Sequence, residues 1–164
     1  MQPAARRKEL LGPPGPPASQ THRPAMVELV HRVKVFVYRY REQAPDYLLL
    51  RGAGHESFWG PIQGPIGFGE RLDTAIVREV MDDIGVSRPM DVIDLHLPGR
   101  WVLGDEEIIE WSYGFRTLPE HQRLRLSERW SAFRWATFNE AYPSLELDTD
   151  RATLLRLHSL LHNV

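Results

Sequence analysis

An α/β fold of the α+β kind, with one mixed β-sheet sandwiched between helices, is what the sequence predicts. Three observations carry this expectation. Strand-like runs outnumber helical ones and lie on both sides of them. Residues 33–38 alternate Val33, Val35 and Val37 with Lys34, Phe36 and Tyr38, a period of two. Between Leu72 and Ile84 the apolar positions Leu72, Ala75, Ile76 and Val80 recur at spacings of three and four, which makes one face of a helix.

Taken in order, the first strand begins at about Arg32. Glu42 to Asp46 (EQAPD) reads as a turn and Tyr47 to Arg51 (YLLLR) as a second strand, so the two form a hairpin. A glycine-rich stretch holding Gly52, Gly54, Gly60, Gly64, Gly67 and Gly69 leads into the helix, which Gly85 is placed to terminate. Further strands are expected at Val92–Leu97, Trp101–Leu103, Ile108–Thr117 and Phe133–Ala136. A closing helix from about Asp150 to His162 would put Leu154, Leu155, Leu157 and Leu161 on its apolar side.

The 164 residues have a net charge of −2 and no cysteine, which excludes disulfides, thiolate metal sites and a Cys nucleophile together. The balance divides unevenly. Residues 1–26 hold six of the 13 prolines and carry +3, whereas residues 27–164 carry −5. The run GPPGPP from Gly12 to Pro17 cannot form helix or sheet, because proline lacks an N–H and fixes φ. Residues 1–26 are therefore expected to be a disordered Pro-rich tail, and residues 27–164 the folded domain. No basic stripe suggests nucleic acid, and no run of ~18 apolar residues suggests a membrane span. The basic start is followed by prolines rather than an apolar core, so no secretory signal is expected and a cytoplasmic location is.

The stretch with chemical content is Gly64 to Val86, GPIGFGERLDTAIVREVMDDIGV. At ~100° per residue, Glu79, Asp82 and Asp83 share one acidic face, opposite the Leu72/Ile76/Val80 stripe. Composition alone favours a solvated face. It also admits a divalent cation, since Mg²⁺ takes hard oxygen ligands and shares them with phosphates. Glu70 stands at the start of the helix, where a carboxylate also suits the dipole, and the glycines before it let the backbone pass close to the acids.

The spacing of this stretch resembles the Nudix hydrolase signature, G-x5-E-x7-R-E-U-x-E-E-x-G-U with U apolar. Gly64, Glu70, Arg78, Glu79, Val80, Gly85 and Val86 fall in register. The likeness extends over most of residues 27–160, through Phe58-Trp59 before the glycine, Arg134-Trp135 late in the chain, and a short helix around Glu140-Ala141. It is similar in particular to the bacterial nucleoside-triphosphate and dihydroneopterin-triphosphate pyrophosphatases.

The resemblance implies the Nudix fold and a Mg²⁺-dependent (or Mn²⁺-dependent) attack of water on a phosphoanhydride. By the same likeness Glu79, Asp82 and Asp83 would hold metal, with the Gln63 carbonyl as a further ligand and Glu70 near the metals. Arg78 would orient Glu79. Glu128, seven residues before Trp135, is the candidate extra carboxylate, as ligand or general base, at an interval one residue longer than usual. The implied partner is a nucleotide or other phosphoanhydride, not nucleic acid or membrane, and a homodimer is compatible with it.

The chain departs from the pattern at three places. Asp82 and Asp83 replace two glutamates, shortening each reach by ~1.5 Å, so that coordination through water becomes an alternative. Gln63 replaces a glycine, and Gly67 stands where the family commonly has an acid. Nucleotide binding without turnover, or action on a dinucleoside polyphosphate or ADP-ribose, are accordingly alternative readings. Arg51, at the end of the second strand, and Arg32 and Lys34, on the first, are candidates for substrate phosphate. Lys34 is the only lysine after residue 8.

Overall fold

Alternation along the first strand decides the layering. In the computed structural model, which describes residues 27–55, 57–119 and 123–163, strand β1 runs from Glu28 to Arg41. Val33, Val35 and Val37 enter a core shared with Ala75, Ile76, Val80 and Ile84, while Phe36 and Tyr38 enter a second core with Leu154 and Leu157. Both faces of the strand are thus covered, one by the helix of residues 72–84 and the other by the C-terminal helices. The expected tail of residues 1–26 lies outside the described residues.

A two-residue turn at Glu42 and Gln43, with φ of 50° and 71°, joins β1 to β2 (Ala44–Gly52). The expected turn over residues 42–46 is therefore shorter, and Ala44 to Asp46 belong to the strand. Two successive left-handed residues match the twist of a hairpin. Pro45 pairs with Tyr40 one step beyond the Arg41–Ala44 closing pair, and β8 (Trp130–Ala136) pairs with β2 only from Tyr47 onward. Its missing N–H therefore costs no ladder bond.

Two short strands follow, β3 (Trp59–Gly60) and β4 (Ile62–Pro65). The latter lies antiparallel to the first half of β1, with Val33 opposite Gly64 and Lys34 opposite Gln63. On its other edge β1 runs parallel to β7 (Glu106–Arg116) along nearly its whole length. This long pairing explains why β1 starts at Glu28, four residues before the expected start at Arg32. Strands β5 (Asp91–Asp94) and β6 (Gly99–Leu103) share the outer edge of β7 and complete, among the described residues, a mixed sheet of eight strands. The strand expected over residues 92–97 ends at Asp94, whose Oδ1 accepts the His96 N–H at 2.8 Å, while His96 itself has φ of 49°.

Helix α1 spans Leu72–Ile84, as the periodicity predicts, and Gly85 ends it at φ +76° with its N–H on the Met81 carbonyl. Helices α2 (Phe138–Ser144) and α3 (Asp148–His162) pack on the opposite face. Leu154 and Leu157 are fully buried, but Leu155 is 46% exposed and lies off the apolar side assigned to it. No helix among the described residues is long and apolar enough to cross a membrane.

Candidate active site

Helix α1 and strand β4 meet so closely that only glycine fits between them. A Cβ on Gly64 would lie 2.2 Å from the Glu79 carboxyl carbon, so the β4 backbone passes directly over that carboxylate. Arg78 fixes the rest of the geometry. Its Nε and Nη2 donate to the two oxygens of Glu70 at 2.7 and 2.8 Å, its Nη1 donates to Glu79 Oε1 at 2.9 Å, and its Nη2 also reaches the Pro65 carbonyl at 3.0 Å. One planar guanidinium thereby ties the loop of residues 65–70 to the helix and sets the angle of Glu79. The clamp and the Gly67 N–H at 2.9 Å hold the Glu70 carboxyl down at about 2.

The acidic face of α1 is not one surface. Glu79 and Asp83 are 4% and 2% exposed, whereas the Asp82 side chain is 63% exposed and approaches Arg78 at 3.7 Å. Burial pushes the carboxyls of both Glu79 and Asp83 upward, against the opposing pull of Arg78 on the former and Arg129 on the latter. Asp83 Oδ1 accepts from Ser127 Oγ at 3.4 Å, but its Oδ2 is buried with no hydrogen-bond partner. The buried Trp130 indole N–H, also without a hydrogen-bond partner, draws on the Asp83 carboxyl but closes no hydrogen bond on Oδ2, and a buried carboxylate oxygen left so is costly unless a cation or donor meets it.

Whether these groups fit a divalent cation follows from the donors. Among the described residues no three Asp, Glu or His side chains gather closely enough to hold a metal ion. Two buried carboxylates, Glu79 and Asp83, do converge with the Gln63 carbonyl, because all three oxygens face the same Arg129 guanidinium. Mg²⁺ commonly takes one or two carboxylates and keeps several waters, so two carboxylates, one carbonyl and an open Oδ2 make a fitting hard-oxygen set.

Several expected site residues stand elsewhere. Lys34 lies away from the α1 cluster: it is 2% exposed and held between Glu110 at 3.0 Å and Asp150 at 2.8 Å, on the α3 side of the sheet. Even-numbered positions of β1 point that way, so the alternation that makes the core also withdraws this ammonium. Glu70, expected as a metal ligand, has both oxygens engaged by Arg78 and Gly67. Asp82, expected as another, turns outward. Glu128 is exposed and, among the described residues, makes no hydrogen bond or ion pair with the cluster. Arg51 donates to Ser57 Oγ at 3.2 Å, and Arg32 is half-buried on β1 opposite Pro65; neither touches Glu79 or Asp83. The residue that does reach them, Arg129, went unassigned in the sequence, although the extra residue between Glu128 and Trp135 is the signal that a neighbour of Glu128 takes the inward place.

Residues 30–157 match the family model of the NUDIX domain. No curated protein matches the chain by sequence. Solved structures are similar in fold. An Ap4A hydrolase of C. elegans, in a binary complex, aligns with a TM-score of 0.67 at 16% identity, over 82% of this chain and 99% of the other. The dihydroneopterin triphosphate pyrophosphohydrolase of E. coli gives 0.66 at 16% identity, over 82% and 96%. The NUDIX domain of Shewanella oneidensis NrtR, complexed with ADP ribose, gives 0.62 at 18% identity, over 87% and 93%.

Proposed function

This chain belongs to the Nudix hydrolase family, and from that premise we propose that it is a Mg²⁺-dependent pyrophosphohydrolase of nucleoside triphosphates or a related pterin triphosphate, with Mn²⁺ as substitute. The observation that carries the reading is the convergence of two buried carboxylates and one carbonyl, with Asp83 Oδ2 left without a hydrogen bond. Glu79, Asp83 and the Gln63 carbonyl would hold the cation, which when bound neutralises phosphate charge and lowers the pKa of water. Glu79 keeps one oxygen on Arg78 and turns the other inward, where it can take a proton from the attacking water. Arg78 keeps that carboxylate from rotating away, and Gly64 leaves it the space. The hydrolase domain is taken as residues 27–164.

Action on a dinucleoside polyphosphate or ADP-ribose is the alternative within the same chemistry. Specificity in a shared fold lies in the loops and strand side chains around the site rather than in the helix. The test is pyrophosphate or nucleotide release from a panel of nucleoside triphosphates, dihydroneopterin triphosphate, Ap4A and ADP-ribose, with Mg²⁺ and with Mn²⁺. Turnover of one of the triphosphates is expected, and Glu79→Gln should remove it. A folded protein that turns over nothing, yet binds nucleotide tightly by calorimetry, would replace this reading with that of a sensor domain, for which the outward Asp82 already speaks.

A further inference from the structure

Arg129 brings a positive charge to the very oxygens assigned to the cation. Its Nη2 donates to the Gln63 carbonyl at 2.8 Å, and its Nη1 lies 3.8 Å from Glu79 Oε2 and 3.6 Å from Asp83 Oδ2. Only the first of these is a hydrogen bond, and the two carboxylate contacts are loose ion pairs. Asp83 Oδ2 accordingly stays without a hydrogen-bond partner even with the guanidinium beside it. The charge offsets the buried acids, but the geometry does not saturate them.

The backbone of Arg129 is held more firmly than its side chain, which keeps a single hydrogen bond and is half exposed. Ser127 N–H donates to the Asp83 carbonyl at 3.0 Å, Trp130 N–H donates to the Ser127 carbonyl at 3.1 Å, and Ala53 N–H donates to the Arg129 carbonyl at 2.9 Å. This turn is thus pinned to the last part of α1 and to the end of β2. The Arg129 side chain is nevertheless 49% exposed, with its guanidinium 5.2 Å from the Trp130 ring centre, so a route outward is open. Arg78 is held differently, by three short hydrogen bonds to the carboxylates of Glu70 and Glu79.

We propose that Arg129 is a built-in counter-cation, a positioning residue that occupies the metal place in the metal-free protein and exchanges with the divalent cation. This rests on the hydrolase reading above, since it takes the same three oxygens as ligands. Guanidinium and metal cannot both sit against Gln63 O, Glu79 Oε2 and Asp83 Oδ2. The cost of keeping two carboxylates buried is thereby shared between two alternative cations. The exchange sets metal affinity below what the bare oxygens would give, and it leaves the released guanidinium at the exposed rim.

The test uses the full-length chain and Mn²⁺ alone, with binding measured by calorimetry and electron paramagnetic resonance. Arg129→Gln should bind Mn²⁺ more tightly on the order of tenfold, because unit charges ~4 Å apart interact strongly where water is partly excluded. The metal-free variant should melt at a lower temperature than wild type and regain more of its stability on adding Mg²⁺. Arg129→Lys, which keeps a charge, should stay close to wild type in affinity. In wild type labelled with ¹⁵N-arginine, the Arg129 Nε–H resonance should move toward that of a free arginine as Mg²⁺ is added. Equal Mn²⁺ affinity in wild type and Arg129→Gln, or an unmoved Arg129 resonance at saturating Mg²⁺, overturns the exchange while leaving the hydrolase reading intact. Absence of Mn²⁺ binding in every variant overturns both.

Discussion

The two faces of the sheet both bury charge, and they do it differently. On the α3 side, Lys34 is enclosed by Glu110 and Asp150 at 3.0 and 2.8 Å, with all three residues under 5% exposed. On the α1 side, Glu79 and Asp83 are as deeply buried, but their cations enter from the surface and Asp83 Oδ2 has no hydrogen-bond partner. The first cluster is closed and positions chain elements against one another. The second is open in one direction, which is what a site that must take up a ligand requires. Burial of charge alone therefore does not mark a ligand site; burial combined with an unmet hydrogen-bonding capacity and an open side is the pattern such a site needs.

Breaking the closed cluster should produce the largest effect. Lys34→Met leaves two buried carboxylates facing each other without a cation, and is expected to cost about 3–5 kcal/mol in denaturant unfolding. A loss within that range separates a structural ammonium from a phosphate-binding one, whose removal would spare stability and raise KM. Gly64→Ala attacks the open cluster instead. Its Cβ would need the space of the Glu79 carboxyl, 2.2 Å away, so the carboxylate must move. Activity should fall by about 10²-fold, the scale for a displacement of ~1 Å in a reacting geometry.

Acidity sharpens the comparison further. Glu70 has its carboxyl lowered from 4.5 to about 2, so its contribution is complete above 4.5 and is lost as pH falls through about 2. The melting temperatures of wild type and Glu70→Gln should thus differ most at neutral pH and converge on acidification through that window. For Glu79 and Asp83 the sign reverses. Their carboxyls are raised, so the metal-free protein pays most when both are ionised, and Glu79→Gln should gain stability relative to wild type as pH rises past the ordinary carboxylate range. Added Mg²⁺ should abolish that gain. The smallest effect belongs to Asp82→Asn. Its side chain is 63% exposed, and the change should alter rate by no more than about fivefold, the equivalent of the ~1 kcal/mol upper value for an exposed pair.

Much of this was legible along the chain, and the reason is local. The 3.6-residue period of Leu72 to Ile84 and the left-handed stop at Gly85 are properties of successive residues, as is the register of Arg78 next to Glu79. Even the tight passage at Gly64 is written as a glycine before a helix. The hairpin was placed but its turn was drawn too long, because Pro45 reads as a turn residue until its unpaired edge is known. Lys34 alternates with valines, which puts it on the face of β1 opposite theirs, but nothing in that alternation says that Glu110 and Asp150 meet it there.

The sequence by itself determined the family, the helix that carries the acids, the clamp residue Arg78 and the two-faced sheet, since each depends on spacing within a short segment. Only the tertiary structure decided which acids face inward, that Lys34 is enclosed, and that Arg129 rather than Glu128 reaches the cluster. Those outcomes depend on contacts between residues as far apart in the chain as Gln63 and Arg129, or Lys34 and Asp150. Chain order sets what a residue can do, but the partner that meets it across the sheet sets what it does.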